Sequence, residues 1–531
     1  MKISSLSALL FCFLPLLGCQ HKLGMGSNSP GKALLFTTPV ETLITLDSTQ
    51  IGVGTVASGL DVPWEMVWGP DNNIWFTEQG GAVSKLNPAT GEKKIMLKIP
   101  DVYRRRSMGL LGMALHPDFK KSPYVFLDYT YLQGEAVKSR LVRYTYQRDT
   151  LTSPVVLLDN IPGANGHNGS RLVISPDNKI IMTTGDLNVG KNAQDKSSIN
   201  GKILRMNLDG SVPADNPIPG SLVWSWGHRN AQGLVWGPNG NLYSSEHGDA
   251  SNDELNLIQK SNNYGWPTVE GYCDQPAEKA FCTTTQVTEP LIAWTPVIAP
   301  AGIEFYNGTA IPEWRNAVLL TTLKTQTFRV LKLNSAGTAI TKEEIYLDKA
   351  YGRLRDVVVS PAGDIYIATS NKDWNPAEGF PKPADDRIIR LYRIKQGEPI
   401  TKAPVQIVAQ TTASATPSTL PDLIAPGKIV YEQYCVSCHK KDGNGVAETF
   451  PPLQGAEQVL DKNALIKIVL HGLSGPVKVK GVEYNQQMPA FTFLSDKNIA
   501  EVLTYVRYQF GNKASAVAAE EVKNLRTAGK N

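Results

Sequence analysis

The sequence predicts an all-β propeller of six repeats, followed after a linker by a small all-α domain. Three observations carry this. A hairpin pattern recurs through the first 394 residues. Forty-five glycines and 35 prolines, with abundant Val, Ile, Thr and Tyr, favour short strands and many turns. Large apolar residues then thin out over Glu398–Ile424 before a helical pattern begins. A chain of 531 residues is too long for one ordinary core. A net charge of +4 is too small to argue for nucleic acid.

In chain order, Met1-Lys2 and the apolar Leu6–Leu17 form a secretory signal rather than a mature helix. Its end, Leu16-Leu17-Gly18-Cys19, resembles the bacterial lipobox, which implies lipidation of Cys19; ordinary cleavage beside an incidental cysteine is the other reading. The expectation is an exported lipoprotein anchored in a membrane, the outer one favoured by Gln20, and facing the periplasm. Residues 1–19 are thus the signal and 20–50 a tether and lead-in.

Residues 51–397 carry the repeats. Leu172–Ile174 and Ile180–Thr184 flank the turn Ser175–Lys179 and read as a hairpin. The pattern recurs at Trp64–Glu78, Leu110–Tyr129, Gln232–Glu246, Gly302–Thr322 and Leu354–Thr369. The spacing of roughly 45 to 70 residues, with four short strands per repeat, means a β-propeller. The fold alone decides no function. His167 precedes the first strand of the third repeat and Asp186 follows the second. An antiparallel hairpin puts both at one end, where a carboxylate can orient an imidazole.

Other unusual residues also gather at blade ends: Trp226-Gly-His-Arg-Asn-Ala-Gln-Gly233, Ser245-Glu-His-Gly-Asp-Ala-Ser-Asn-Asp-Glu254, Asn263-Tyr-Gly-Trp-Pro267, Lys324 and Arg353-Leu-Arg355. In this order, with the His167 stretch, they resemble the quinoprotein sugar dehydrogenases (soluble glucose, aldose and sorbosone dehydrogenases) from about Val62 to Ile394. The resemblance implies a six-bladed propeller using pyrroloquinoline quinone (PQQ). Arg229, Asn230, Lys324, Arg353 and Arg355 match PQQ-binding positions, which suits a cofactor with three carboxylates. Gly248 and Asp249 match positions whose carbonyls hold calcium against the quinone. Glu254, Tyr264, Glu270 and Asp274 are candidates for a second, structural calcium. His167 matches the catalytic base, with Asp186 fixing its tautomer. The chain departs from the family in having Ser107 where a glutamine is common, beside Arg104–Arg106, and aspartate at 249 where proline is frequent. The loop after Asp186 and the stretch Trp294–Pro300 also differ. Cys273 and Cys282, in an exported protein, are expected to form a disulfide.

Residues 398–424 read as a flexible linker with a reach of about 28 Å. Residues 425–512 contain Cys435-Val-Ser-Cys438-His439, a c-type haem attachment motif. Cys435 and Cys438 are the thioether positions and His439 one axial ligand. Met488, the only methionine here, is the expected second ligand, with His471 its rival. Gly427–Tyr434 and Asp496–Phe510, the latter after Ser495 as N-cap, read as helices. The tail 513–531 receives no assignment.

The expected fold is therefore an all-β six-bladed β-propeller followed by a small all-α cytochrome c domain. The expected activity is oxidation of the C1 hydroxyl of an aldose, or of a related sugar aldehyde, with PQQ, calcium and covalent haem c as cofactors. The partners are the sugar and a periplasmic or membrane electron acceptor. Two other readings stay open: a calcium-dependent propeller hydrolase such as a lactonase, and a non-catalytic electron-transfer or sensing protein.

Overall fold

Six antiparallel sheets surround an axis in the computed structural model, which describes residues 38–394, 405–407, 410–411, 420–512 and 514–528. The first blade runs Pro63–Trp68, Ile74–Glu78, Ala82–Leu86 and Lys93–Lys98. The third contains the hairpin read from the sequence, Leu172–Ile174 paired with Lys179–Thr184, then Lys202–Asn207 and Val223–Trp226. The second strands Ile74–Glu78, Leu242–Glu246, Ala317–Thr322 and Ile365–Thr369 are buried along their whole length, being covered on both faces, and each junction between blades has its own core. Trp75, Leu110 and Leu127 fill the first junction, and Phe126, Leu172 and Met206 the second. Trp314, Phe328 and Ile365 fill the fifth. The six sheets match the expected count.

Ring closure differs from the sequence reading. The sixth repeat supplies three strands, Leu354–Val359, Ile365–Thr369 and Ile388–Arg393. Its fourth is Gln50–Ala57, which pairs antiparallel with Ile388–Arg393 and on its other edge with Thr42–Thr45. Thr42–Thr45 and Gln50 of the expected lead-in therefore join this sheet, because the last repeat supplies only three strands of its own. The expected linker is also partly structured. Val405–Ile407 lies parallel to Thr42–Thr45, and Gln410–Thr411 pairs with Ile340–Tyr346 of the fifth blade, each satisfying backbone groups on an open sheet edge.

Near the axis the blades are joined by buried charges. Arg171 Nη1 reaches Asp356 at 2.8 Å and Glu65 at 3.4 Å, and its Nε donates to the Gln232 carbonyl at 2.9 Å. These residues come from the third, sixth, first and fourth blades, so the pocket residues beside them inherit a fixed frame.

The C-terminal domain is helical. The helix Leu420–Tyr434 starts earlier than expected and packs against Asp496–Tyr508. Ser495 caps the latter by accepting from Asn498 N, an arrangement worth about 1 kcal/mol. Ile499, Val502, Leu503 and Val506 face the core, as their spacing predicts. The tail forms a further helix, Ala519–Ala528, with Val522 fully buried. The signal, the lipobox cysteine and most of the tether lie outside the described residues, and no helix among the described residues is long and apolar enough to cross a membrane.

Candidate active site and haem cavity

A cavity of about 510 Å³ opens at one face of the propeller. His167, Asn230, Lys324, Arg353 and Arg355 line it, as do Gln79, Arg106, Ser107, Gln232, His247, Asp373 and Trp374.

His167 Nδ1 lies 2.6 Å from Asp186 Oδ1. The hairpin brings them together, and Gly185 permits the approach: a Cβ there would stand 2.0 Å from the His167 carbonyl oxygen. Asp186 also accepts from Trp266 Nε1 and Asn188 N, each at 2.8 Å. Burial pushes this carboxyl up, but the hydrogen bonds from His167, Trp266 and Asn188 outweigh it and hold the group below the usual range. An ionised carboxylate can only accept, so His167 carries its hydrogen on Nδ1 and keeps the Nε2 lone pair.

The far wall is cationic. Arg353 pairs with Asp373 at 2.8 Å. Arg355 stands 3.5 Å from the same carboxylate and 3.3 Å from Gln232 Oε1. Burial pushes Arg355 down to about 10, with Arg353 and Arg171 adding repulsion against the pull of Asp373. Burial likewise lowers Lys324. Asp373 is the one carboxylate in this lining, and Arg353 and Arg355 share it, whereas the carboxylate that acts on Lys324 is Asp253. Arg355 Nε is buried without a hydrogen-bond partner. Such a donor set is incomplete without an anion, and a tricarboxylate such as PQQ fits it.

Arg229 occupies a different position. It lines a smaller adjoining cavity, pairs with Asp249 at 2.6 Å and lies over the Trp266 ring at 5.2 Å. Between the two cavities stands His247, whose Nε2–H donates to the Pro300 carbonyl at 2.9 Å. Burial, with Arg229 and Arg355 nearby, holds His247 neutral, down to about 3. The small cavity is also lined by Gly248, Glu246, Glu254, Tyr264 and Glu270, but Asp274 is not part of it. Asp274 instead accepts from Gln275 in the loop closed by the Cys273–Cys282 disulfide, which the structure contains. Burial and then Glu246 push Glu254 up, and burial and Asp249 raise Glu270. Among the described residues no three His, Cys, Asp or Glu side chains converge as a metal cluster. Gly248 N donates to Asp253 Oδ1 at 2.8 Å, which fixes the loop whose carbonyls were expected to face calcium.

The expected active-site serine, Ser107, lines the large cavity and donates to the Asn165 carbonyl at 3.1 Å. Arg104 is tied to Asp61, whereas the Arg106 guanidinium lies 5.5 Å from the ring centre of Trp374, a tryptophan 56% exposed at the rim. Gln79, Gln232, His247, Asp373 and Trp374 were not singled out from the sequence. Their only signal was position at a blade end. In Trp-Gly-His-Arg-Asn, His228 is scaffold: it is fully buried between Ser225 and Glu246.

In the C-terminal domain an apolar cavity is lined by Cys435, His439, Met488, Leu465, Val469 and Phe491, among others. His439 Nδ1–H donates to the Pro451 carbonyl at 2.9 Å, leaving Nε2 as the free ligand nitrogen. Met488 is held by reciprocal backbone bonds with Leu473, at 2.9 and 3.0 Å. His471 ends the helix Lys462–His471 and does not line this cavity. Apolar walls, one histidine, one methionine and an adjacent cysteine pair suit a covalent haem.

Comparison with known proteins agrees with both halves. Residues 60–375 match the glucose/sorbosone dehydrogenase family model, and residues 422–506 match the cytochrome domain model of cbb3-type cytochrome c oxidase subunit III. Quinoprotein glucose dehydrogenase B of Acinetobacter calcoaceticus is 33% identical over 403 residues, 59% of this chain and 84% of that protein. The PQQ-bound aldose sugar dehydrogenase of Streptomyces coelicolor superposes with a TM-score of 0.57 at 32% identity, over 65% of this chain and 98% of that one. Cytochrome c-552 of Thermus thermophilus is 38% identical over 112 residues, 19% of this chain and 85% of that protein. The chain belongs to the glucose/sorbosone dehydrogenase family of oxidoreductases and carries a cytochrome c domain at its C-terminal side.

Proposed function

We propose that the protein oxidises the C1 hydroxyl of an aldose, or a related sugar aldehyde, and passes the electrons to its own haem. The observation that carries this is the pairing of His167–Asp186 with a cationic wall in one cavity. Lys324, Arg353, Arg355 and Asn230 hold the carboxylates and carbonyls of PQQ. Bound there, PQQ supplies the acceptor for two electrons, and haem c supplies a one-electron relay. His167 Nε2 takes the proton of the substrate hydroxyl, and Asp186 stabilises the imidazolium that results. The Gly248 and Asp249 carbonyls hold calcium beside the quinone. The crowded carboxyls Glu254 and Glu270 support a second calcium, with Tyr264 contributing its carbonyl. Trp374 gives the sugar an apolar face at the rim, and Arg106 above it favours substrates that carry an acidic group.

Cys435 and Cys438 bind the haem covalently, and His439 and Met488 ligate its iron. The disulfide and the c-type haem motif both support maturation in an oxidising compartment, in keeping with an exported lipoprotein lipidated at Cys19 whose electrons leave to a periplasmic or membrane acceptor.

The test is optical. The haem-matured protein, given calcium and PQQ, is mixed with a panel of neutral and acidic aldoses while haem absorption is followed. Reduction that requires both sugar and PQQ, and is lost in His167→Ala, is the expected result. Absence of both haem and dye reduction with every sugar would refute the dehydrogenase reading.

A further inference from the structure

Among the described residues, three polar contacts join the haem-cavity side of the cytochrome domain to the propeller, and each falls within three residues in sequence of a residue that lines the large cavity. The Tyr434 hydroxyl reaches the Ala250 carbonyl at 3.4 Å. Gln433 Nε2 reaches the Val297 carbonyl, also at 3.4 Å. Lys441 Nζ pairs with Glu378 at 2.8 Å.

On the propeller side, Ala250 follows His247-Gly248-Asp249, the segment between the two cavities. Val297 precedes Ile298 and Ala299, whose amides are held by the same Asp253 carboxylate that fixes Gly248. The backbone amide of pocket-lining Lys324 donates to the Ile298 carbonyl. Glu378 lies in the loop that starts with Asp373 and Trp374, both of which line the large cavity. On the cytochrome side, Tyr434 and Cys435 both line the haem cavity, and Lys441 is two residues beyond His439. Tyr434 also packs edge-on against Phe491 and Phe493.

We propose that this is a built docking surface, with Lys441–Glu378 as its latch and Tyr434 as the residue through which electrons cross from the 247–250 loop to the haem. The inference rests on the dehydrogenase reading above and adds the route. Oxidation of the sugar breaks its C1–H and O–H bonds, forms the carbonyl, and yields two electrons and two protons. A haem held by Cys435, Cys438 and His439 would accept these electrons singly. A one-electron acceptor outside the chain, of the cytochrome or dye class, must reoxidise it between the two. The protons leave to water, one by way of His167.

The contact is small, and its ion pair is well exposed on both sides. Such pairs bind weakly between separate molecules. The covalent link supplies an effective concentration in the millimolar range, so a weak contact suffices and the haem can still separate to meet its acceptor.

Two measurements test this. First, a carbodiimide joins amines and carboxylates that are already in contact, so the full-length, PQQ-free protein is treated with it at low concentration and mapped by mass spectrometry. A Lys441–Glu378 amide within single chains is expected; its absence would overturn the docked arrangement, whether or not the propeller is a dehydrogenase. Second, haem reduction is timed by rapid mixing after sugar addition and divided by the rate of dye reduction in the same sample. Glu378→Lys and Lys441→Glu should each lower that ratio by roughly fivefold, the most an exposed pair can carry. The double exchange should restore it. Tyr434→Leu should lower the ratio further, and Tyr434→Phe, which keeps the ring but loses the bond to Ala250, should fall between. An unchanged ratio in Tyr434→Leu with a wild-type haem spectrum would remove Tyr434 from the route. Wild-type protein that shows the amide but reduces neither dye nor haem would leave the docking standing and defeat the dehydrogenase reading instead.

Discussion

Replacing Asp186 by asparagine isolates what its charge contributes. Asp186 is 1% exposed, and its two oxygens take hydrogen bonds from His167, Trp266 and Asn188. Asparagine keeps the shape but offers one oxygen, so its amide N–H₂ must face either the Trp266 or the His167 N–H, two donors opposed. The charge matters most when His167 becomes an imidazolium. Opposite unit charges about 4 Å apart attract by about 4 kcal/mol at an effective dielectric of 20. A hydrogen bond to a charged group contributes about 1.5–3 kcal/mol. Taking about 1.5–4 kcal/mol as the loss, kcat should fall about tenfold to a thousandfold, because the term acts after substrate has bound. KM should change little. The assay is steady-state dye reduction with PQQ saturating, beside a PQQ titration to show that the cavity still fills. A second readout is thermal. Asp186 titrates below the usual range in the fold, so its contribution to stability is complete above that range and disappears as pH falls through the folded value. The Tm difference between wild type and variant should therefore shrink at acid pH. A kcat within threefold of wild type would refute the role given to Asp186, as would a loss confined to KM.

Further outcomes follow from other parts of the site. Lys324→Met or Arg355→Leu should weaken PQQ binding about tenfold to a hundredfold, the value of one charge-assisted contact, as read by fluorescence titration of the PQQ-free protein. Met488→Leu should keep the haem attached while lowering its midpoint potential in spectroelectrochemistry, whereas His471→Ala should leave the potential in place. Glu254 is raised by burial and by Glu246, so it holds a proton in the fold at pH values where the unfolded chain has lost it. Stability of the metal-free protein should therefore fall as pH rises from the ordinary carboxylate range to mildly alkaline values. Calcium should replace that proton, and the Tm gain it gives should grow with pH in calorimetry with and without chelator. A gain independent of pH would argue against a metal at Glu254.

The sequence made the His167–Asp186 pair legible because a hairpin is local: strand length, turn residues and antiparallel pairing fix which ends meet. It made Cys435, Cys438 and His439 legible as a haem attachment motif because covalent attachment demands a fixed spacing. Closure of the ring by Gln50–Ala57 was hidden because its partner, Ile388–Arg393, lies more than 300 residues away and any apolar strand of the right length could have served. Asp373 was hidden for a related reason. Nothing in Asn-Lys-Asp-Trp marks one carboxylate as the shared partner of Arg353 and Arg355, and only the turn after the sixth blade's second strand brings it there. Arg229 shows the opposite case: its motif was plain, but its side chain turns towards Asp249, the residue that replaces a frequent proline. Asp274 lies in the loop closed by the disulfide and does not line the small cavity beside Glu254.

The sixth sheet holds both the chain's arrival and its departure. Thr42–Thr45 lies between Gln50–Ala57 on one side and Val405–Ile407 on the other. Anyone trimming the N-terminal side should therefore cut ahead of Thr38. A shorter product would lose the strand that receives the outgoing chain. The cytochrome domain would then hang from a longer leash, and the same truncation would expose the edge of the strand that closes the ring. Yield, shelf life and the coupling of dye turnover to haem turnover would all change through one deletion far from either cofactor.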